Sequence, residues 1–336
     1  MSKVQKIFIS FQRTNLIRGL AIIAVVIIHI LAYFPGIYNS EKQLFFISID
    51  QLARFCVPAF IMLSGYGLAT KYENQKIEYL DFFKKRVFKL LPLYLLWSFA
   101  SILIISSVSA WSYGNQPMSL WIQLLFGQAD YQLYFLPVLF QLYALFPLLW
   151  LLRKKPKLLL FLTLLIQVTL YITFAATSSK SDRFQYTLSL SWIGYFAFGI
   201  YLKLKTLPKL LVKLAPVLSA LVFGAIVFIC LKQINNGIDP LPVLKFTKLS
   251  IILFGLSFCL SLVTIKLPAN KLLLWLGKNS YIIFLSHTIL MRIIYAMITK
   301  QLSTTVLFGV ITLWGLTLFL SLFLLDKQKT KSVIKS

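Results

Sequence analysis

Residues 16–34, LIRGLAIIAVVIIHILAYF, decide the fold class of this chain. Only Arg18 and His29 interrupt the apolar and aromatic character of this stretch. A helix needs about 20 mostly apolar residues to cross a bilayer, so the stretch predicts a transmembrane helix. Basic residues precede it, as in a signal peptide, but the apolar run is long and lacks a small-residue cleavage site. We therefore predict a retained helix.

Further apolar runs of the same kind follow along the chain. Hydrophobic residues make up 59% of the 336 residues and charged residues only 13%, whereas soluble domains have roughly 25% charged residues. This composition excludes a soluble enzyme, a nucleic-acid-binding protein and a disordered chain. We predict an all-α, polytopic integral membrane protein with about ten transmembrane helices. The predicted spans are 16–34, 45–69, 91–108, 131–151, 158–177, 185–202, 214–231, 246–265, 279–298 and 303–325.

The basic residues are unevenly distributed around these spans. Of the 34 lysines and arginines, 25 lie in alternate connections and in the two terminal segments. Basic residues accumulate on the cytoplasmic side of membrane proteins. We therefore predict that both termini are cytoplasmic and that segment 109–130 is outside. The predicted cytoplasmic segments are 1–18, 70–90, 152–157, 203–213, 266–278 and 326–335.

The three cysteines, Cys56, Cys230 and Cys259, all lie in apolar runs. Their odd number argues against a disulfide framework, and the sequence has neither a CxxC motif nor a Cys/His cluster. We expect them to be packing residues, and we expect no metal site.

Arg18 and His29 are the first candidate site residues, because ionisable groups inside a bilayer are costly and need a reason. They are 11 positions apart, which places them on one helix face about 16 Å apart along the axis. Taken alone, Arg18 is explained as an anchor that reaches the headgroups, and His29 as an interhelical hydrogen-bonding group. A neutral imidazole is also the usual base for activating a hydroxyl, and we expect this role for His29.

Two further polar groups lie in the second predicted span. Asp50 and Arg54 have the i,i+4 spacing that lets them pair on one helix face. They are interpreted as a structural ion pair, with a cavity open to the outside as the alternative. Ser64, Gly65 and Gly67 follow in the same span, where small residues allow close approach of another helix or of a ligand.

A basic run precedes the third predicted helix. Lys84, Lys85, Arg86 and Lys89 stand before Pro92, and the proline suits the first turn of that helix. If the run is helical, Arg86 and Lys89 face the same way. Phenylalanines alternate with these charges, so the surface suits a phosphorylated cytosolic ligand such as a nucleotide cofactor. It equally suits anionic lipid headgroups.

The ninth predicted span contains His287, followed by Arg292. His287 is either a second catalytic group or a packed, hydrogen-bonding residue. We favour the packed role.

Several motifs together resemble the signature of the membrane acyltransferase type 3 family. The Arg18-x10-His29 spacing in the first helix is one of them. The others are FIMLSGY at 60–66, KRVFKLLPLY at 85–94, YFLPVLFQLYALFPLL at 134–149 and GKNSYIIFLSH at 277–287. The motifs occur in order from residue 13 to residue 292, so the likeness covers nearly the whole chain.

The resemblance implies transfer of an acyl group, often acetyl, from cytosolic acyl-CoA to hydroxyls of cell-surface glycans. Arg18 and His29 correspond to the essential Arg/His pair of the family. Its Arg-x-x-Arg motif, associated with the acyl donor, appears here as Arg86-Val-Phe-Lys89. Lysine holds a phosphate as a point charge but lacks the bidentate fork of arginine.

The resemblance also sets the remaining expectations. We expect Lys85 and Ser64 to belong to the acyl-CoA site, with acetyl-CoA as the donor. We expect a single transmembrane domain over 1–336, no additional soluble domain, and a place in the bacterial cytoplasmic membrane. Expected partners are the lipid bilayer, a glycan acceptor and polysaccharide-synthesis machinery, but not nucleic acid.

The competing function is an exporter of polysaccharide or of a lipid-linked sugar. Some stand-alone relatives in the family accompany exopolysaccharide synthesis and have been labelled exporters. Transporters usually contain inverted repeats with broken helices in matching positions, and inspection of the sequence finds none. The two histidines within helices and the basic inner segment favour chemistry across the membrane.

Overall fold

The structure is a computed structural model that describes residues 4–108, 119–176, 182–268 and 270–333. It is dominated by α-helices, which confirms the predicted all-α polytopic membrane fold. The helices of the described residues are α1 (Phe11–Ala32), α2 (Gln43–Ala53), α3 (Cys56–Tyr72), α4 (Tyr79–Ser106), α5 (Leu120–Leu125), α6 (Phe135–Leu151), α7 (Pro156–Ala176), α8 (Asp182–Thr187), α9 (Ile193–Leu204), α10 (Lys209–Asn235), α11 (Pro240–Val243), α12 (Leu249–Thr264), α13 (Lys271–Lys278), α14 (Ser280–Thr299) and α15 (Thr304–Val333). Two short strands, β1 (Val4–Lys6) and β2 (Thr206–Pro208), pair antiparallel.

Within the described ranges, eight helical stretches are long and apolar enough to cross a bilayer. The shorter apolar helices α9 and α12 coincide with the predicted spans 185–202 and 246–265, but they have 12 and 16 residues. At a rise of about 1.5 Å per residue, they are shorter than the roughly 30 Å of hydrocarbon in a bilayer. The count of ten transmembrane helices and the cytoplasmic location of the termini therefore stay predictions.

The helix of the third predicted span begins before the apolar run. The prediction that Pro92 lies in its first turn was wrong. Helix α4 begins at Tyr79, so the basic run is helical and Pro92 lies in the helix interior rather than in its first turn. An interior proline removes one backbone hydrogen bond and crowds the carbonyl one turn earlier. Two residues before Pro92, the carbonyl of Leu90 accepts a 2.8 Å hydrogen bond from the Tyr281 hydroxyl of α14.

Two other segments also differ from their predicted form. The predicted span 45–69 consists of two helices, α2 and α3, which are separated at Arg54 and Phe55. The predicted cytoplasmic connection 266–278 contains a helix of its own, α13. Of the predicted outer segment 109–130, residues 109–118 lie outside the described residues.

The chain divides into two compact units. The first unit comprises Met1–Ile77 and Leu145–Ser280, and the second comprises Glu78–Ala144 and Tyr281–Ser336. The assignment of 1–336 to a single domain stays a prediction.

In the first unit, glycines bring helix backbones into direct contact. A Cβ atom on Gly65 of α3 would lie 2.1 Å from the carbonyl oxygen of Phe196 in α9, and one on Gly277 of α13 would lie 1.9 Å from that of Asn15 in α1. No side chain fits at such distances, so α3 packs on α9, and α13 packs on the first turns of α1, only because these positions are glycine. For Gly65 this confirms helix packing.

Predicted cytoplasmic segments meet at one end of the first unit. Strand β1 pairs with β2, which joins the segments 1–18 and 203–213. Glu73 pairs with Lys203 at 2.7 Å, and this hydrogen-bonded contact lowers the pKa of Glu73. Arg13 donates hydrogen bonds to the carbonyl oxygens of Leu262 and Ile265. Three of the predicted cytoplasmic segments, 1–18, 70–90 and 203–213, thus lie together, and their side of the membrane stays a prediction.

The second unit packs α4, α14 and α15 around a buried apolar core that includes Leu93, Leu133 and Leu285. The core also contains a buried side-chain hydrogen bond, which the indole Nε1 of Trp97 donates to the Ser321 hydroxyl at 2.8 Å. A buried indole N–H requires such a partner.

Candidate active site

Helix α1 carries Arg18 and His29 without interruption. Ser10 is the N-cap of the helix, and its hydroxyl accepts a 3.1 Å hydrogen bond from the backbone N–H of Arg13. Arg18 and His29 are both half-buried. The residues between them on the same face, Ile22 and Val25, are buried.

The stripe of α1 formed by Arg18, Ile22, Val25 and His29 therefore faces protein rather than lipid. Most residues of α1 between Arg18 and His29 are buried, and Ile23 and Ile30 mark its exposed side. At about 1.5 Å per residue, the two ionisable groups are about 16 Å apart at the ends of an otherwise apolar stripe. The anchoring role of Arg18 and the catalytic roles of Arg18 and His29 stay predictions.

Asp50 and Arg54 form the ion pair that their spacing predicted. Nε and Nη2 of Arg54 donate hydrogen bonds to the Asp50 carboxylate at 2.7 to 2.9 Å. The carboxylate also accepts hydrogen bonds from the Tyr38 hydroxyl at 3.1 Å and from Gln51 Nε2 at 2.9 Å. The Arg54 guanidinium lies over the ring of Phe246, 4.4 Å from its centroid.

This pair stands at the break between α2 and α3, in the first unit. Burial, and then the neighbouring Asp50 carboxylate, raise the pKa of Tyr38, so this phenol remains a hydrogen-bond donor. A buried ion pair needs further hydrogen bonds to offset its desolvation, and Asp50 receives them from two side chains, those of Tyr38 and Gln51. The geometry agrees with the structural interpretation of the pair.

Ser64 lies in the interior of α3, and its hydroxyl donates a 2.9 Å hydrogen bond to the carbonyl of Phe60 in the same helix. A serine inside a helix commonly satisfies its hydroxyl in this way. The role of Ser64 in donor binding stays a prediction.

The basic run lies on the first turns of α4, in the second unit. Lys85 pairs with Asp81 at 2.6 Å, and both side chains are exposed. Arg86 is half-buried, whereas Lys89, one turn further, is exposed. The guanidinium of Arg86 lies 6.0 Å from the ring centroid of Phe82 and 5.9 Å from that of Tyr143. The helix places Arg86 and Lys89 on one side, as the spacing predicted.

His287 lies in α14, and only 4% of its surface is exposed. Its Nδ1 is 2.9 Å from the carbonyl oxygen of Phe284 and 3.1 Å from that of Ile283. Because carbonyl oxygens only accept hydrogen bonds, the geometry assigns the proton of the neutral ring to Nδ1. These contacts belong to its own helix, and the choice between a packed and a catalytic role stays a prediction.

The structure also contains a buried polar cluster that the sequence did not reveal. Arg292 pairs with Asp130 at 3.0 Å, and the Asp130 side chain is fully buried. The Thr288 hydroxyl donates to Asp130 at 2.8 Å, and Gln132 Nε2 donates to the Thr288 hydroxyl at 2.7 Å. The cluster ties α14 to the irregular backbone before α6. The sequence signal for this cluster was Asp130, an acidic residue immediately before the predicted span 131–151.

The predicted site residues are divided between the two units. Arg18, His29, Asp50, Arg54 and Ser64 belong to the first unit. The second unit contains Lys85, Arg86, Lys89 and His287. Within the described ranges, no group of three His, Cys, Asp or Glu side chains has the geometry to hold a metal ion.

The apolar helices and the Arg18–His29 stripe define a multi-pass membrane protein with ionisable groups turned towards its interior. A comparison with protein families matched residues 12–325 to the acyltransferase type 3 family, which is described as an acyltransferase domain. The chain belongs to this family, which confirms the resemblance and supports an acyltransferase role. A search of curated proteins found no match, and a search of solved structures found none either.

Proposed function

We propose that this acyltransferase transfers an acetyl group from cytosolic acetyl-CoA to a hydroxyl of a cell-surface or exported glycan. The observation that carries the proposal is the stripe of α1, on which Arg18 and His29 share one protein-facing side. The family assignment supports acyl transfer, and the half-buried Arg86 supports a phosphate-bearing donor. The proposed location is the bacterial cytoplasmic membrane, beside polysaccharide-synthesis machinery.

The proposed reaction assigns the proton transfer to His29. A glycan hydroxyl is a poor nucleophile until its proton is removed in the transition state, and a neutral imidazole accepts that proton. The hydroxyl oxygen then forms a bond with the thioester carbonyl carbon, and the C–S bond breaks. Coenzyme A leaves as the thiolate and takes up a proton. In this scheme Arg18, about 16 Å from His29 along α1, presents its protonated guanidinium to anionic groups of the donor rather than to the reacting carbonyl.

The donor site proposed here lies on the basic face of α4. A pyrophosphate presents several anionic oxygens, and charge-assisted hydrogen bonds from Arg86 and Lys89 suit them. The topology predicted from basic residues puts this part of α4 on the cytoplasmic side, where acyl-CoA is available. Lys85 belongs to the same proposed donor set.

Consumption of acetyl-CoA by the purified protein separates an enzyme from an exporter. We expect thiol release from acetyl-CoA that depends on an added glycan acceptor. An exporter of polysaccharide or lipid-linked sugar would release none under the same conditions. A second measurement, the acetylation state of surface glycans in cells with and without this chain, identifies the acceptor class.

A further inference from the structure

The cations on the first turns of α4 differ in how they are held. Lys84, Lys85 and Lys89 are exposed. Arg86 alone of this group is half-buried and lies against two rings, those of Phe82 and Tyr143. These rings are themselves buried, with 2% and 7% of their surfaces exposed.

The two rings come from different parts of the second unit. Phe82 precedes Arg86 by four residues on α4, so helical spacing alone brings them together. Tyr143 lies on α6, and its contact with Arg86 is tertiary. Both ring centroids are about 6 Å from the guanidinium carbon, within the range in which a ring attracts a cation. This attraction strengthens as the pair is removed from water.

Whether the Arg86 guanidinium contacts a ring or a carboxylate decides whether its N–H donors remain available to a ligand. A carboxylate would use the N–H fork of the guanidinium and neutralise its charge. A ring attracts the cation through its π-face, which leaves the in-plane N–H donors and the positive charge available to an anion. In the described part of the chain, no carboxylate forms an ion pair with Arg86, whereas the adjacent Lys85 pairs with Asp81.

We propose that Tyr143 is a positioning residue that holds the Arg86 guanidinium ready for the phosphate groups of the acyl-CoA donor. This inference rests on the proposed function. The side chain of an arginine loses rotational freedom when it binds a ligand, and a side chain held in advance loses less. Tyr143 therefore contributes to donor affinity without touching the donor, and its ring contributes more than its hydroxyl.

The test measures the affinity of the purified full chain for coenzyme A and for pantetheine, which lacks the phosphate groups. We expect Tyr143→Leu to weaken coenzyme A binding by about threefold to thirtyfold and to leave pantetheine binding unchanged. Tyr143→Phe keeps the ring and should bind coenzyme A within about twofold of the wild type. The matched control is Phe140→Leu, which removes a half-buried ring from the same helix that contacts Tyr94.

The dependence of coenzyme A affinity on salt distinguishes the positioning role of Tyr143 from the contribution of the Arg86 charge. Arg86→Gln removes a cation and should reduce the dependence of coenzyme A affinity on salt, whereas Tyr143→Leu retains the cation and should keep that dependence. If Tyr143 is merely structural, Tyr143→Leu would weaken the binding of coenzyme A and of pantetheine equally and would lower the unfolding temperature. That result would overturn the inference.

Two further outcomes distinguish the inference from the function on which it rests. If Arg86→Gln weakens coenzyme A binding but Tyr143→Leu does not, the positioning role is wrong and the donor site stands. If the wild type does not bind coenzyme A, or if Arg86→Gln binds it unchanged, the donor site fails and the inference fails with it.

Discussion

The two histidines of the chain have different surroundings at the scale of single residues. His29 is half-buried on the protein-facing stripe of α1, with Arg18 on the same side. His287 is almost fully buried, and its Nδ1 lies against carbonyl oxygens of its own helix. A base must reach a substrate hydroxyl, and the surroundings of His29 are the more suitable.

We expect His29→Ala to remove nearly all acyl transfer while the protein still inserts and purifies normally. A general base is typically worth about 10²–10⁴ in rate. We expect His287→Ala to retain clear activity, because its contacts are those of a packed residue. The measurement is acyl transfer by both variants at matched expression and matched thermal stability. Wild-type turnover in His29→Ala would disprove the mechanism, and loss in His287→Ala alone would move the base to α14.

Arg86 is the other residue whose role can be measured directly. A hydrogen bond to a charged group contributes about 1.5–3 kcal/mol, so Arg86→Ala should weaken acyl-CoA binding by roughly tenfold to a hundredfold. Lys84→Ala is the matched control, because it removes an exposed cation from the same helix. Equal donor affinity in Arg86→Ala and the wild type would leave the basic run with a topological role only.

At the scale of helices, two glycines of α3 differ in the space around them and allow a controlled comparison. A Cβ on Gly65 would lie 2.1 Å from the carbonyl oxygen of Phe196, while one on Gly67 has no heavy atom within 4 Å. Gly65→Ala should therefore lower the free energy of unfolding by about 1–3 kcal/mol, through overpacking against a backbone that cannot yield.

Gly67→Ala should be neutral or stabilise the protein by up to about 1 kcal/mol, because alanine has the higher helix propensity. Thermal unfolding of both variants in the same detergent checks the pair. Equal stabilities would contradict the close packing of α3 on α9.

At the scale of the whole molecule, the main prediction is the orientation in the membrane. Asn115 lies outside the described residues, in the segment predicted to be external. We expect Asn115→Cys to react with a membrane-impermeant thiol reagent added to intact cells. Lys154→Cys, on a predicted cytoplasmic segment, should react only after permeabilisation. The native cysteines are buried and free, so the wild type should give little background. The reverse pattern would invert the topology.

The sequence by itself determined the class of this protein and much of its layout. Each predicted span coincides with one or more apolar helices of the structure. Hydropathy acts over contiguous residues, and the bilayer imposes a length of about 20 residues on each crossing. The Asp50–Arg54 pair was equally predictable, because helical spacing alone brings residues four apart together.

Only the tertiary structure decided which distant residues meet. Arg292 pairs with Asp130, which is 162 positions away in the chain, and Tyr143 reaches Arg86 from another helix. It also placed Pro92 inside α4, although the local preference of proline is for a helix start. In a bilayer, every helix is apolar on most faces, so composition does not reveal which faces touch. Close packing of specific side chains and glycines makes that choice.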